Sequence, residues 1–132
     1  MEQERRGDHL DNTVRFRLHD MLFEYDEEKN RTNIEKHGIS LKTAALVFLD
    51  YNRIEYYDET HSDDEDRYNT IGVARPEQYL TVETGRKEAV LFVVYTERDI
   101  YSLEGQQLEI TRIISARKAT GFEKGLYYGK YN

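Results

Sequence analysis

Arg67, Arg98, Arg112, Arg117 and Lys118 fall at the ends of segments whose composition predicts β-strands. The chain has no Cys, which removes thiol nucleophiles, disulfides and thiolate-held zinc, and it offers no glycine loop for a phosphate. The run Asp63-Asp64-Glu65-Asp66 beside His61 lacks the alternation of a calcium loop, so neither a metal nor a cofactor is expected. Guanidinium groups bind two phosphate oxygens at once and stay charged at any working pH. That suits RNA cleavage without a metal, in which a ribose 2′-hydroxyl attacks the adjacent phosphorus and the developing negative charge has to be stabilised. A plainer reading also fits: Arg98 and Arg117 as surface ion pairs with Glu97, Glu109 or the acidic loop, worth little energy.

Those positions have to be set by a small fold, and the periodicity predicts α+β with the order β-α-α-β-β-β-β-α. A strand at 21–25 leads into a helix at 27–37, with Asp26 placed to accept the first amide hydrogens and Glu27 and Glu28 favourable in the first turn. Lys36 and His37 suit its last turn, and Gly38 ends it. Asn30, Asn33 and His37 form one polar stripe, which either bonds to loops of the same fold or faces a ligand. Ser40 caps a second helix, 41–49, whose Leu41, Ala44, Ala45 and Phe48 are core positions. Strands follow at 51–57, 67–74, 89–98 and 108–117, the third apolar on both faces as a central strand would be. Thr120 and Glu123 fit a capping box for a last helix running to Tyr131, with Phe122, Leu126, Tyr127 and Tyr128 laid on the sheet. On a regular strand Arg112 and Lys118 share a face and Arg117 points away, so the three meet at one phosphate only if the strand ends or bulges near Ala116.

Residues 1–20 read as a polar N-terminal extension and 21–132 as one domain. Within the extension, Val14-Arg15-Phe16-Arg17-Leu18 alternates as a short amphipathic strand would, and a disordered arm fits its charge density equally. The net charge of -7 argues against DNA binding by this chain alone. Its distribution leaves room for a local cationic site: residues 39–66 hold eight acidic and two basic side chains, residues 100–132 three acidic and five basic. No apolar run approaches the roughly twenty residues of a membrane helix, and residues 1–20 do not read as a signal peptide; a cytoplasmic home without membrane contact is expected.

The chain also resembles the BrnT toxins of type II toxin-antitoxin pairs. The resemblance opens with Phe23 or Tyr25, Asp26, Lys29-Asn30, Asn33 and Lys36-His37-Gly38. It continues through the runs at 45–50, 66–68 with 71–72, 90–98 and 110–120, five blocks in order over residues 23–128. It implies a RelE-like fold, an antiparallel sheet with helices packed on it, and an endoribonuclease that arrests growth by cleaving RNA. It also implies neutralisation by a BrnA-like ribbon-helix-helix antitoxin, through which alone operator DNA is contacted. Matched block by block, Glu65, Arg67, Arg98 and Arg117 become the catalytic candidates, with Arg112, Lys118, Lys36 and His37 as candidates for holding substrate. His37 is also a possible general acid or base, with interaction with the last helical carbonyls as the competing role. Segments 75–88 and 99–107 are longer than the family pattern and could reshape or block the site. A reading of a different class is a non-catalytic binding module that holds a basic antitoxin-like partner.

Overall fold

The computed structural model describes residues 12–61, 65–75 and 89–129. β1 (Thr13–Leu18) and β2 (Met21–Asp26) form an antiparallel hairpin whose turn places His19 at φ 57°. The alternating stretch is thus an edge strand of the sheet, with Val14, Phe16 and Leu18 packed on the core. α1 (Glu27–His37) starts at Asp26 in extended conformation but without a side-chain cap bond, so the two first-turn acids are left to favour the helix start. Gly38 ends it at φ 72°, its N–H donating to Ile34 O at 2.8 Å.

Ser40 caps the next segment by accepting from Thr43 N at 3.0 Å. The helix expected at 41–49 is in fact a single α turn, α2 (Leu41–Ala44), continued by the tighter 3-10 segment Ala45–Leu49. Close approach to the sheet accompanies this tightening. A Cβ at Gly72 would lie 3.0 Å from Arg53 Cβ and 3.4 Å from Val47 Cβ, so glycine is what lets the segment sit there.

Three further reversals give β3 (Ile54–Tyr57), β4 (Tyr68–Ala74), β5 (Ala89–Tyr101) and β6 (Gln107–Lys118). The segment expected as a long loop at 99–107 shortens to 102–106, since β5 runs to Tyr101 and β6 starts at Gln107; in the turn Ser102 N donates to Gln106 O at 2.8 Å. Residues 76–88, the other long segment, lie outside the described residues. α3 (Gly121–Tyr127) has the expected capping box, and stops before Tyr131. Phe122 and Tyr128 are exposed rather than laid on the sheet, while Leu126 and Tyr127 pack against it.

The sheet order is β1-β2-β6-β5-β4-β3. It departs from the all-antiparallel expectation at one seam, where β2 runs parallel to β6 through Phe23↔Thr111 and Glu24↔Arg112. The reason is connectivity: the chain leaves β2 through the helices and returns to it only with the last strand. α1, α2 and the 3-10 segment cover one face over Phe23, Tyr25, Leu91, Val93, Tyr95, Ile113 and Ala116. Phe16, Phe23, Phe48, Tyr95, Tyr68 and Tyr57 stack in sequence across that side at 5.0–5.8 Å between ring centroids. On the other face a smaller cluster, Ile71, Val73, Val90 and Ala119, lies under α3. The polar stripe of α1 is structural at two of its three positions. Asn33 donates to Ile39 O and Ala116 O at 2.9 and 2.8 Å and accepts from Ala116 N at 3.1 Å, standing in for a strand neighbour where β6 runs past β2. Asn30 accepts from Leu41 N at 2.8 Å.

Candidate functional site

One extra residue decides which arginines share a face. β5 and β6 pair regularly from Leu91↔Lys118 to Val94↔Ser115, but the next pair is Tyr95↔Ile113, so Ile114 has no partner. Directly paired residues lie on the same face. Phe92 therefore shares its face with Arg117, and by alternation along β5 so do Val94, Thr96 and Arg98. Thr96 faces Arg112, which joins them, whereas Lys118 faces Leu91 on the helix-covered side. This corrects the grouping of Arg112 with Lys118 that a regular strand gives. The bulge sits two residues before Ala116.

At the β1 side of this face stands a fully buried carboxylate. Glu24, between the core residues Phe23 and Tyr25, points away from the core. Its Oε1 accepts from Arg15 Nε at 2.8 Å, and its Oε2 lies 2.8 Å from Arg98 Nε, 2.6 Å from Arg98 Nη2 and 2.9 Å from Arg112 Nη1. Burial alone pushes the carboxyl up, but the bonds from Arg15, Arg112 and Arg98 outweigh it and hold Glu24 below its ordinary value. One negative charge thus organises three positive ones. The guanidinium groups stay 27–49% exposed, and each carries five N–H donors, more than its bonds to Glu24 use.

Towards α3, Arg117 has a different setting. Its two terminal nitrogens donate to the two oxygens of Glu123 at 2.8 and 2.9 Å, and its guanidinium lies over the Phe92 ring at 4.1 Å from the centroid. Glu123 also closes the α3 capping box, so this ion pair fixes the helix to the strand. Arg117 lines a groove of about 380 Å³ with Arg67, Asn69, Ser115, Asp58 and His61. Thr96 Oγ1 donates to Asp66 O at 2.6 Å, which ties the backbone just before Arg67 to the residue facing Arg112.

The structure therefore brings Arg98 and Arg112 into one cluster and puts Arg117, with Arg67 in its groove, on the same sheet face. Glu65 is exposed in the loop before β4. Lys36 and His37 are exposed at the end of α1, on the helix-covered side with Lys118. Of the acidic run near His61, residues 62–64 lie outside the described residues; among the described residues no group of three or more His, Asp or Glu could hold a metal ion. Glu24, Arg15 and the Asp58–His61 pair were not among the sequence candidates. For Glu24 and Arg15 a signal existed, since each is a charged residue between apolar neighbours on an alternating strand. A larger cavity of about 790 Å³ lies elsewhere, beside Asp50, Tyr51 and Tyr127. There Asp50 accepts from Tyr127 Oη, Val73 N and Asn52 N, so its carboxylate ties α3 to β4.

Together these features define a small α+β protein with α1 and α2 on one face of a mixed sheet and the arginines, beside α3, on the other. The family model of the BrnT ribonuclease toxin of type II toxin-antitoxin systems matches residues 25–123. The chain belongs to that family, which implies an antitoxin as partner. A search of curated proteins gave no match. Among the described residues no helix is long and apolar enough to cross a membrane.

Proposed function

We propose that this chain is a metal-independent endoribonuclease of RelE-like type whose substrate lies across the arginine-bearing sheet face, in the cytoplasm, and that a BrnA-like ribbon-helix-helix antitoxin neutralises it. The observation that carries the reading is the Glu24 cluster: a single buried carboxylate orients three arginines from three strands and cancels only one of their charges. Such a group is built for an anion, because the guanidiniums are held in place before any phosphate arrives and little reorganisation is needed when charge develops. Arg98 and Arg112 hold the backbone phosphates, and Arg67 and Arg117 bear on the scissile one, with Glu65 beside them. Lys36, His37 and Lys118, on the far side, would serve only substrate that wraps around the sheet edge. Operator DNA is contacted through the antitoxin.

Purified protein given RNA in excess chelator should leave 2′,3′-cyclic or 3′-phosphate ends, with Arg98→Ala and Arg117→Ala each slowing cleavage on the order of 100-fold while remaining folded, as melting curves verify. Cleavage indifferent to both changes would refute the site. A second reading, the binding module, is favoured by the groove on the other side of the sheet, where Asp20, Glu55, Glu97 and Glu109 outnumber Arg17 and Arg53, the latter paired with Glu55 at 2.6 Å. Burial, then Glu109 and Glu55, raise Glu97 there, and such acids suit a basic partner. Tight antitoxin binding without any RNA cleavage would select that reading.

A further inference from the structure

We infer that His61 is the general base of this ribonuclease and that Asp58 positions it, an assignment that rests on the nuclease reading above. His61 Nδ1 lies 3.1 Å from Asp58 Oδ2 and 3.3 Å from Oδ1, while the backbone N–H groups of Thr60 and His61 donate to Asp58 Oδ1 at 3.1 and 3.3 Å. One carboxylate thus fixes both the turn and the ring. With Nδ1 held by the carboxylate, Nε2 is the nitrogen left to work.

The mount is tied into the β3–β4 hairpin. Asp58 N donates to Arg67 O at 2.9 Å across the neck of the β3–β4 hairpin, and the Asp58 side chain is only 13% exposed. Burial pushes Asp58 up, but the bonds from the His61 ring and from the His61 and Thr60 amides outweigh it and hold it below its ordinary value, ionised and able to orient an imidazole. The ring itself is 67% exposed and lines the groove that also holds Arg67 and Arg117. A plain Asx turn with a surface histidine would not need that company. Among the described residues, the charged and titratable groups around this groove include Asp58 on the same turn, Arg67 entering β4, Arg117 on β6 with Glu123 behind it, and Tyr56 on β3.

In the reaction, the proton of the ribose 2′-hydroxyl passes to His61 Nε2 as the 2′-oxygen bonds to phosphorus. The bond from phosphorus to the 5′-oxygen breaks, and that oxygen takes a proton from water in the open groove. The products are a 2′,3′-cyclic phosphate and a 5′-hydroxyl, with His61 returning its proton to solvent. Arg67 and Arg117 stay charged throughout and bear on the phosphorane oxygens.

The test is cleavage of a fluorescent RNA by the full chain over a range of pH, with melting curves to verify folding. His61→Gln should lose about 100-fold or more in kcat and its rate should no longer fall toward acid as the wild-type rate does. Free imidazole should restore part of the rate to His61→Ala. Asp58→Asn keeps an oxygen for the turn but no charge for the ring, and should lower kcat with KM unchanged. A folded His61→Gln with wild-type rate and pH profile overturns the assignment while leaving the nuclease reading intact. No cleavage by the wild type overturns both.

Discussion

Arg98 Nη2 meets Glu24 Oε2 at 2.6 Å across 74 residues of sequence. Arg112 reaches the same oxygen, so two guanidiniums share it and the carboxylate holds both against their mutual repulsion. Removing the carboxylate leaves three like charges around an empty centre. Glu24→Gln should therefore destabilise the protein by about 2–4 kcal/mol, the half-exposed arginines relieving part of the strain. Urea unfolding at neutral pH measures it.

The same carboxylate gives the fold a dependence on acid. Because Glu24 titrates lower when folded than when unfolded, the unfolded chain binds more protons between those two values. Stability from this group is present above the ordinary glutamate value and drains away as pH falls through the lowered one. In Glu24→Gln that part of the acid limb should vanish, so the gap between wild type and variant narrows as pH drops. A gap that stays constant to the acid limit would contradict the account.

Arg98→Ala and Arg112→Ala should each slow RNA cleavage, and the double variant should lose less than the sum of the two free-energy changes, because both act through one oxygen. Lysine at 98 restores the charge but not the two-point contact of Nε and Nη2, so Arg98→Lys should recover only part of the rate. A double-mutant cycle on initial rates reads both.

Asn33 satisfies both backbone groups of Ala116. Asn33→Ala leaves a buried N–H and carbonyl without partners and should cost about 2–3 kcal/mol. Asn33→Asp should not rescue it, since a carboxylate cannot donate to Ile39 O and Ala116 O. Thermal melts of the three proteins settle the order.

Deleting Ile114 restores regular alternation to β6, and a regular strand cannot keep Arg112 on Glu24 and Ala116 under Asn33 together. One half of β6 has to turn over, carrying an arginine towards the apolar face. The deletion should unfold the protein or abolish cleavage, and should be far worse than Ile114→Ala, which keeps the count. Comparing soluble yield and melting temperature of the two distinguishes them.

How far the sequence reached depended on distance along the chain. The helix 27–37 was legible from Glu27, Glu28 and Gly38 because first-turn charges and helix stops are decided within a few neighbours, although the side-chain cap expected of Asp26 is not made. β6 was legible as a strand from Leu108 to Arg117, but not the bulge, since Ile114 is as good a strand residue as Ile113 and only pairing with Val94 and Tyr95 shows that it is extra. Glu24 was hidden for the same reason: its partners stand 9, 74 and 88 positions away. The arginine set itself was visible, because charges at strand ends can be read from composition, whereas their sorting by face could not. The tighter turn at 45–49 packs against Gly72 on a distant strand, a contact no local pattern shows.

The parallel seam between β2 and β6 has a consequence for biosynthesis. Among the described strands the β1–β2 hairpin is made before the others, yet its neighbour in the sheet is β6, the last of them to be made. Until Arg112 emerges, Glu24 has no β6 to sit beside, and a nascent or truncated chain ending at the β5–β6 turn should remain open at that flank and inert towards RNA. On the nuclease reading, translation thus withholds cleavage until β6 has been made.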